Sequence, residues 1–241
     1  QQVEQFGDPT ITAADTFKPV TRFWDRIVKP EQLLKSLPQA LAVMLDPAEC
    51  GPAFLALPQD VQAEAYDYPA MFFEPQVHFI RRPQADPREI SNAASVINAA
   101  KKPLIISGGG VLYSEAAPTL GDFAAKRNIP IVETFAGKAA FSDSHPNYAG
   151  SLGIAGDACS NAIAEDADVV IAVGTKLQDF TTGSWALFKD PNLKIVTINT
   201  ARWDATKQHA TSVMADARVS IEQIDSALGD YAAPADWLGR A

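Results

Sequence analysis

The sequence predicts an α/β fold: a six-stranded, all-parallel, doubly wound domain over residues 86–229, preceded by part of a second α/β unit. Three observations carry this. Short apolar runs without polar alternation recur from residue 103 onward, the pattern of strands covered on both faces. Helical patterns separate these runs, which makes the crossovers parallel. Residues 1–67 hold one helical stripe and one apolar strand, too little for a core of their own.

The elements follow in order. Leu33, Leu34, Leu37, Leu41, Met44 and Leu45 place a stripe on a helix over Glu31 to Leu45, with Pro38 expected to kink it. Gly51-Pro52 leads into the strand Ala53 to Leu57, which ends at Pro58. Such a strand needs sheet neighbours, and these are expected upstream of Gln1. Tyr66 to Pro83, with three prolines and several aromatics, is read as an ordered linker. Asp86-Pro87 supplies an N-cap and N1 pair.

Six strands are then expected: Leu104 to Ser107, Ile129 to Val132, Tyr148 to Leu152, Val169 to Gly174, Lys194 to Asn199 and Ser212 to Asp216. Helices lie between them, and Ile221, Ile224 and Leu228 mark an amphipathic closing helix. The result is a Rossmann-like layer.

Bulk properties narrow the function. A hydrophobic share of 47% with 20% charged residues is that of a globular chain. A net charge of −9 speaks against a nucleic-acid partner. No run reaches the roughly eighteen apolar residues of a membrane span, and no basic-then-apolar leader opens the sequence. Cys50 and Cys159 lack metal-like spacing and are read as reduced thiols, so a cytoplasmic location is expected. The chain opens on Gln1 rather than Met and is expected to be part of a longer or processed polypeptide.

Two stretches carry candidate chemistry. Gly108-Gly109-Gly110 ends the first strand of the large domain, where glycines let a diphosphate approach backbone N–H groups. Tyr113 takes the third glycine position of a dinucleotide fingerprint, so a tight structural turn stands beside the binding reading. Glu133, ending the next strand, is placed to accept a ribose hydroxyl. Gly174, Lys176, Thr181 and Thr182 follow the most apolar strand. They face either a ligand or solvent, in the latter case with Asp179 capping the next turn. His145 is read as a turn residue, and no acid/base dyad or metal set emerges. The four tryptophans are expected at domain or subunit contacts.

Several stretches resemble the thiamine-diphosphate enzymes of the acetohydroxyacid synthase and pyruvate decarboxylase group. Gly51 to Val61 is similar to the end of that family's pyrimidine-binding domain. Lys102 to Gly110, Ile129 to Gly153 and Val173 to Gly183 follow its central domain. Within the group, Phe17 to Ile27, Leu57 to Pro69, Ile80 to Pro83 and Leu177 to Ser184 resemble members that hydrolyse a C–C bond of a cyclic 1,2-dione in inositol catabolism. Lys176 departs from the arginine expected there and loses the planar fork.

The resemblance implies that residues 1–67 are the C-terminal part of a truncated pyrimidine-binding domain. Residues 68–85 are then an inter-domain linker, 86–229 the central domain, and 230–241 a tail leading to a diphosphate-binding domain. It implies thiamine diphosphate and Mg²⁺ in a homo-oligomeric parent enzyme acting on a small molecule. The activating glutamate and the Gly-Asp-Gly motif have no counterpart here, so the chain alone is expected to be inactive, with no catalytic residue and no tightly bound cofactor. An acetolactate-synthase-like carboligase with FAD in the central domain, and a stand-alone nucleotide-binding module, are the alternatives.

Overall fold

The computed structural model describes residues 7–240, so Gln1–Phe6 and Ala241, at the ends of the expected segments, lie outside it. The chain divides into two compact units, with the boundary between Arg81 and Arg82. Each is taken by itself.

In the first unit, strand β1 (Phe23–Arg26) pairs in parallel with β2 (Ala53–Ala56), with Trp24 beside Phe54. Helix α1 (Leu33–Leu45) joins them, entered through a 3-10 turn at Pro30–Gln32. It continues past Pro38, although Pro38 has no N–H to donate.

β1 corrects the sequence reading, which placed one strand here. Phe23-Trp24-Asp25-Arg26 is half charged and hides its strand character. Its charges are satisfied locally: Gln32 Nε2 donates to both Asp25 oxygens at 3.0 and 2.9 Å, and Ser36 Oγ donates to the same carboxylate. Phe54 stacks on Phe17 at 4.6 Å and on Trp24 at 6.4 Å, and the Trp24 indole donates to Ala14 O. A short α2 (Gln59–Gln62) follows. Tyr66, Tyr68, Phe72 and Phe73 then form an aromatic cluster, tied back by Tyr68 Oη donating to Pro30 O at 2.7 Å. Both strands are half-buried throughout, and a two-stranded sheet is short of an independent core.

The second unit holds the sheet that the sequence predicts. Six parallel strands run in the order β5-β4-β3-β6-β7-β8. They are β3 (Pro103–Ser107), β4 (Ile131–Glu133), β5 (Tyr148–Ser151), β6 (Val169–Val173), β7 (Lys194–Ile198) and β8 (Thr211–Val213). β3 and β6 are buried at every position, as their unbroken apolar runs require.

Helix α3 (Pro87–Asn98) opens the unit with the expected cap: Asp86 accepts the Arg88 N–H, and Ile90, Ala93, Ala94 and Ile97 turn inward. After β3 come α4 (Gly109–Tyr113) and α5 (Ala117–Arg127), the latter closed by Asn128 in the left-handed conformation. Then follow α6 (Ala158–Asp166), α7 (Asp179–Thr182), α8 (Arg202–Ala205), α9 (Ala217–Ala227) and α10 (Ala235–Leu238).

The stretch after residue 229 packs on the unit. Trp237 is buried with its indole donating to Pro103 O at 2.8 Å, so this tryptophan is internal rather than at a domain contact. Tyr231 Oη donates to Ala100 O at 3.0 Å. Burial, with Asp168 adding to it, pushes the Tyr231 phenol up to about 12. A folded pKa raised above that of an unfolded tyrosine, about 10, means stability that is complete below pH 10 and lost as pH rises towards 12. Tyr231→Phe is therefore expected to flatten the alkaline decline. Urea midpoints between pH 8 and 11.5 measure it, and an unchanged decline would refute the assignment.

Candidate site at the carboxyl edge of the sheet

In a doubly wound sheet, ligands bind where neighbouring strands send their chains to opposite sides. Here that switch lies between β3 and β6, because the chain proceeds from β3 to β4 and β5 on one side and from β6 to β7 and β8 on the other. The loops leaving these two strands carry the glycine candidates, so the structure brings Gly108, Gly109, Gly110 and Gly174 together.

The crevice between those loops is filled by their own backbones. Gly108 N donates to Val173 O at 2.8 Å, and Gly110 N donates to Gly174 O at 2.9 Å. A Cβ on Gly110 would lie 2.6 Å from Gly174 Cα, and one on Gly108 would strike the Gly174 carbonyl. Gly174 itself has φ +59°. Glycine at all three positions lets two loops cross within hydrogen-bond range. Gly109 lies against Ala136, where a Cβ would come 3.1 Å from its carbonyl oxygen.

The loop after β6 places the remaining candidates. Lys176 is exposed, with its Nζ 3.9 Å from Asp204, and Asp204 also holds Lys207 at 2.6 Å. Thr182 is buried; its hydroxyl donates to Gln178 O and accepts the Trp185 N–H, both at 3.2 Å. Thr181 is buried, with its N–H on Gln178 O at 2.9 Å. Leu177, Ser184 and Trp185 adopt positive φ, a conformation costing about 1–2 kcal/mol for a residue with a Cβ. Asn199 braces the loop by donating to Thr175 O at 3.3 Å.

Glu133 is not a ribose acceptor. Its carboxylate is fully buried, accepting the Phe141 N–H at 2.9 Å and the Tyr148 hydroxyl at 3.1 Å, with Lys138 at 3.8 Å. The hydrogen bond of Lys138 to the Tyr148 oxygen, followed by the charges of Glu133 and Asp143, raises the lysine pKa against the opposing effect of desolvation. Sequence reading saw Glu133 as the end of a strand; Phe141 and Lys138 reach it from the following loop and Tyr148 from the start of β5, a meeting nothing in the sequence marks. His145 is a turn residue, its Nδ1 accepting the Asn147 N–H.

The Gly108 and Gly110 donors are spent within the protein, and among the described residues no cluster of three His, Cys, Asp or Glu side chains is placed to hold a metal. Among them, too, no helix is long and apolar enough to cross a membrane.

Known proteins resemble the chain closely. Residues 90–224 match the model of the thiamine pyrophosphate enzyme central domain. A 3D-(3,5/4)-trihydroxycyclohexane-1,2-dione hydrolase of Clostridium perfringens is 49% identical over 228 residues, which cover 95% of this chain and 36% of that protein. The protein of the same name from Geobacillus thermodenitrificans is 45% identical over 231 residues, again 36% of its length. The chain thus spans about a third of these relatives. Its fold is shared with a protein from Mycobacterium smegmatis, solved by X-ray crystallography and named for dependence on thiamin diphosphate. The TM-score is 0.71 at 24% identity, over 91% of this chain and 41% of that one. The chain belongs to the thiamine pyrophosphate enzyme family, and its six-stranded sheet is that family's central domain.

Proposed function

We propose that this chain is the middle portion of a thiamine-diphosphate-dependent hydrolase that opens trihydroxycyclohexane-1,2-dione in inositol catabolism. The observation that carries the reading is the 49% identity to a relative of that name along 95% of the chain. In this reading residues 1–67 end a pyrimidine-binding domain, 68–85 link it to the central domain of 86–229, and 230–241 lead towards a diphosphate-binding domain. The open two-stranded sheet of the first unit supports such an assignment.

The reaction consumes one water. Its O–H adds across the bond between the two carbonyl carbons, so the ring opens with a carboxylic acid at one end and an aldehyde at the other. Thiamine diphosphate, bound with Mg²⁺ by the flanking domains, supplies the carbon nucleophile for such a cleavage. This chain contributes a rigid spacer between those domains, its crevice closed by the crossing of Gly108, Gly110 and Gly174. The parent acts as a cytoplasmic homo-oligomer.

The test has two arms. A polypeptide of the relatives' length, given thiamine diphosphate, Mg²⁺ and the dione, is expected to yield acid and lose dione in equal amounts. Condensation of pyruvate instead would replace this reading with the carboligase one. Calorimetric titration of thiamine diphosphate and Mg²⁺ into the present chain is expected to show no binding below millimolar concentrations, and tight binding would refute the division of labour.

A further inference from the structure

The path between β4 and β5, residues 134–147, begins as a strap laid across the glycine turn that ends β3. Thr134 N donates to Ser107 O at 2.9 Å, and the Thr134 hydroxyl accepts the Gly137 N–H at 3.1 Å. A Cβ on Gly137 would strike the Ser107 carbonyl oxygen and come 3.0 Å from Gly108 Cα, while Ala136 lies against Gly109. The strap therefore covers the end of β3, beside the switch point at which sheets of this type admit ligands.

A single buried carboxylate gathers this strap. Glu133 ends β4, and among the described residues its side-chain partners come only from the strap and from Tyr148 at the start of β5. Oε1 accepts the Phe141 N–H at 2.9 Å, and Oε2 accepts the Tyr148 hydroxyl at 3.1 Å. That hydroxyl accepts in turn from Lys138 Nζ at 2.8 Å, and the ammonium lies 5.3 Å from the centre of the Tyr148 ring. Donation thus runs one way, from ammonium to phenol to carboxylate. β3 offers no partner: Ser107, at the register position beside Glu133, has a buried hydroxyl that makes no hydrogen bond.

Between its two attachment points the strap is strained. Ala139 has φ +76°, a conformation disfavoured for any residue with a Cβ. Strain of this kind persists only where the surroundings over-determine it, and here Lys138 holds one side and Phe141 the other. The far end of the path is pinned without charge. The Phe141 ring meets His145 edge-on at 5.5 Å, and Asn147 Nδ2 donates to Ala124 O and Ile129 O, each at 3.0 Å. Residues 134–141 are the part whose closure falls to Glu133.

We propose that residues 134–141 are a closable strap over the glycine turn of β3, and that the Glu133 charge is its latch. As a carboxylate, Glu133 accepts at both oxygens, so the Phe141 amide and the Lys138 ammonium are drawn to one point. Ala136 and Gly137 then lie over Gly109 and Gly108. Without the charge, the buried position offers fewer acceptors and no counter-charge for Lys138. The strained strap then lifts from the turn while the sheet beneath stays folded. Asp143, the other acidic group acting on Lys138, is exposed on the same path and has no anchorage in the sheet to replace Glu133. The device lies wholly within this chain and does not depend on the reaction of the longer enzyme.

Amide hydrogen exchange, read by mass spectrometry on this chain, tests the latch. Glu133→Gln keeps the shape of the side chain and removes its charge. In that variant the amides of residues 135–141 are expected to exchange about tenfold faster, with those of β3 and β6 unchanged. Lys138→Met alters an exposed position and leaves the carboxylate in place. It is expected to speed the same amides with the fold intact. Unchanged strap exchange in either variant would overturn the proposal, and Lys138→Met decides alone where Glu133→Gln does not fold. An acceleration in Glu133→Gln shared equally by strap and sheet would also overturn it, since Glu133 is then only a part of the core.

Discussion

Replacing Arg127 by Ala is expected to lower the unfolding free energy by about 3–5 kcal/mol, the cost of breaking a buried, fully paired charge. Arg127 is 2% exposed and uses its whole fork. Its Nε donates to Asp225 Oδ1 at 2.7 Å, Nη1 to Gly229 O and Tyr231 O at 2.6 and 2.7 Å, and Nη2 to Asp225 O at 2.7 Å. The substitution removes a side chain from the junction of α5 and α9 and strips three carbonyls of their donor. Lysine is no substitute, since a single ammonium cannot reach this spread of acceptors. Chemical denaturation of Arg127→Ala and Arg127→Lys measures both, and a loss below 1 kcal/mol for either would contradict the network.

The same site gives an acid signature. Burial pushes the Asp225 carboxyl up, but hydrogen bonds from Lys126 and Arg127 outweigh it, and the pKa is lowered overall. A depressed carboxylate contributes stability above the unfolded pKa of about 4, lost as pH falls through the folded value. Arg127→Ala is therefore expected to lose less stability than the parent chain between pH 5 and acid.

The second large effect is expected at Gly174. With φ +59°, any side chain there is strained, and its Cβ would lie 2.6 Å from Gly110 Cα and 2.9 Å from Val111 N. Backbone atoms in the first turn of a helix cannot step aside, so Gly174→Ala is expected to destabilise by on the order of 3 kcal/mol. Gly183→Ala separates strain from collision. Gly183 has φ +56°, but its nearest neighbour is a Leu187 side-chain atom at 3.5 Å. It is expected to cost about 1 kcal/mol, that of conformation alone. Equal urea midpoints for the two variants would show that the loops after β3 and β6 do not meet as described.

Sheet and helices were legible because their cause is local. Unbroken apolar runs specify strands covered on both faces, and Asp86-Pro87 acts within one turn of the helix it opens. β1 escaped notice because Asp25 and Arg26 give it a polar composition, whose reason appears only when Gln32, Ser36 and Asp15 are folded against it. At the candidate site, sequence marked Gly108 to Gly110 and Gly174 as places of unusual backbone. It left open whether a ligand or another stretch of chain makes the close approach.

What the sequence by itself determined, then, is the succession of strands and helices in the second unit, their parallel sense and the family, since each rests on local patterns and their alternation along the chain. Tertiary structure alone decided that the two glycine loops cross each other and that Arg127 is an internal anchor. Those depend on which distant segments the chain topology brings together. Spacing along a polypeptide does not encode that proximity; the pairing of β3 with β6 creates it.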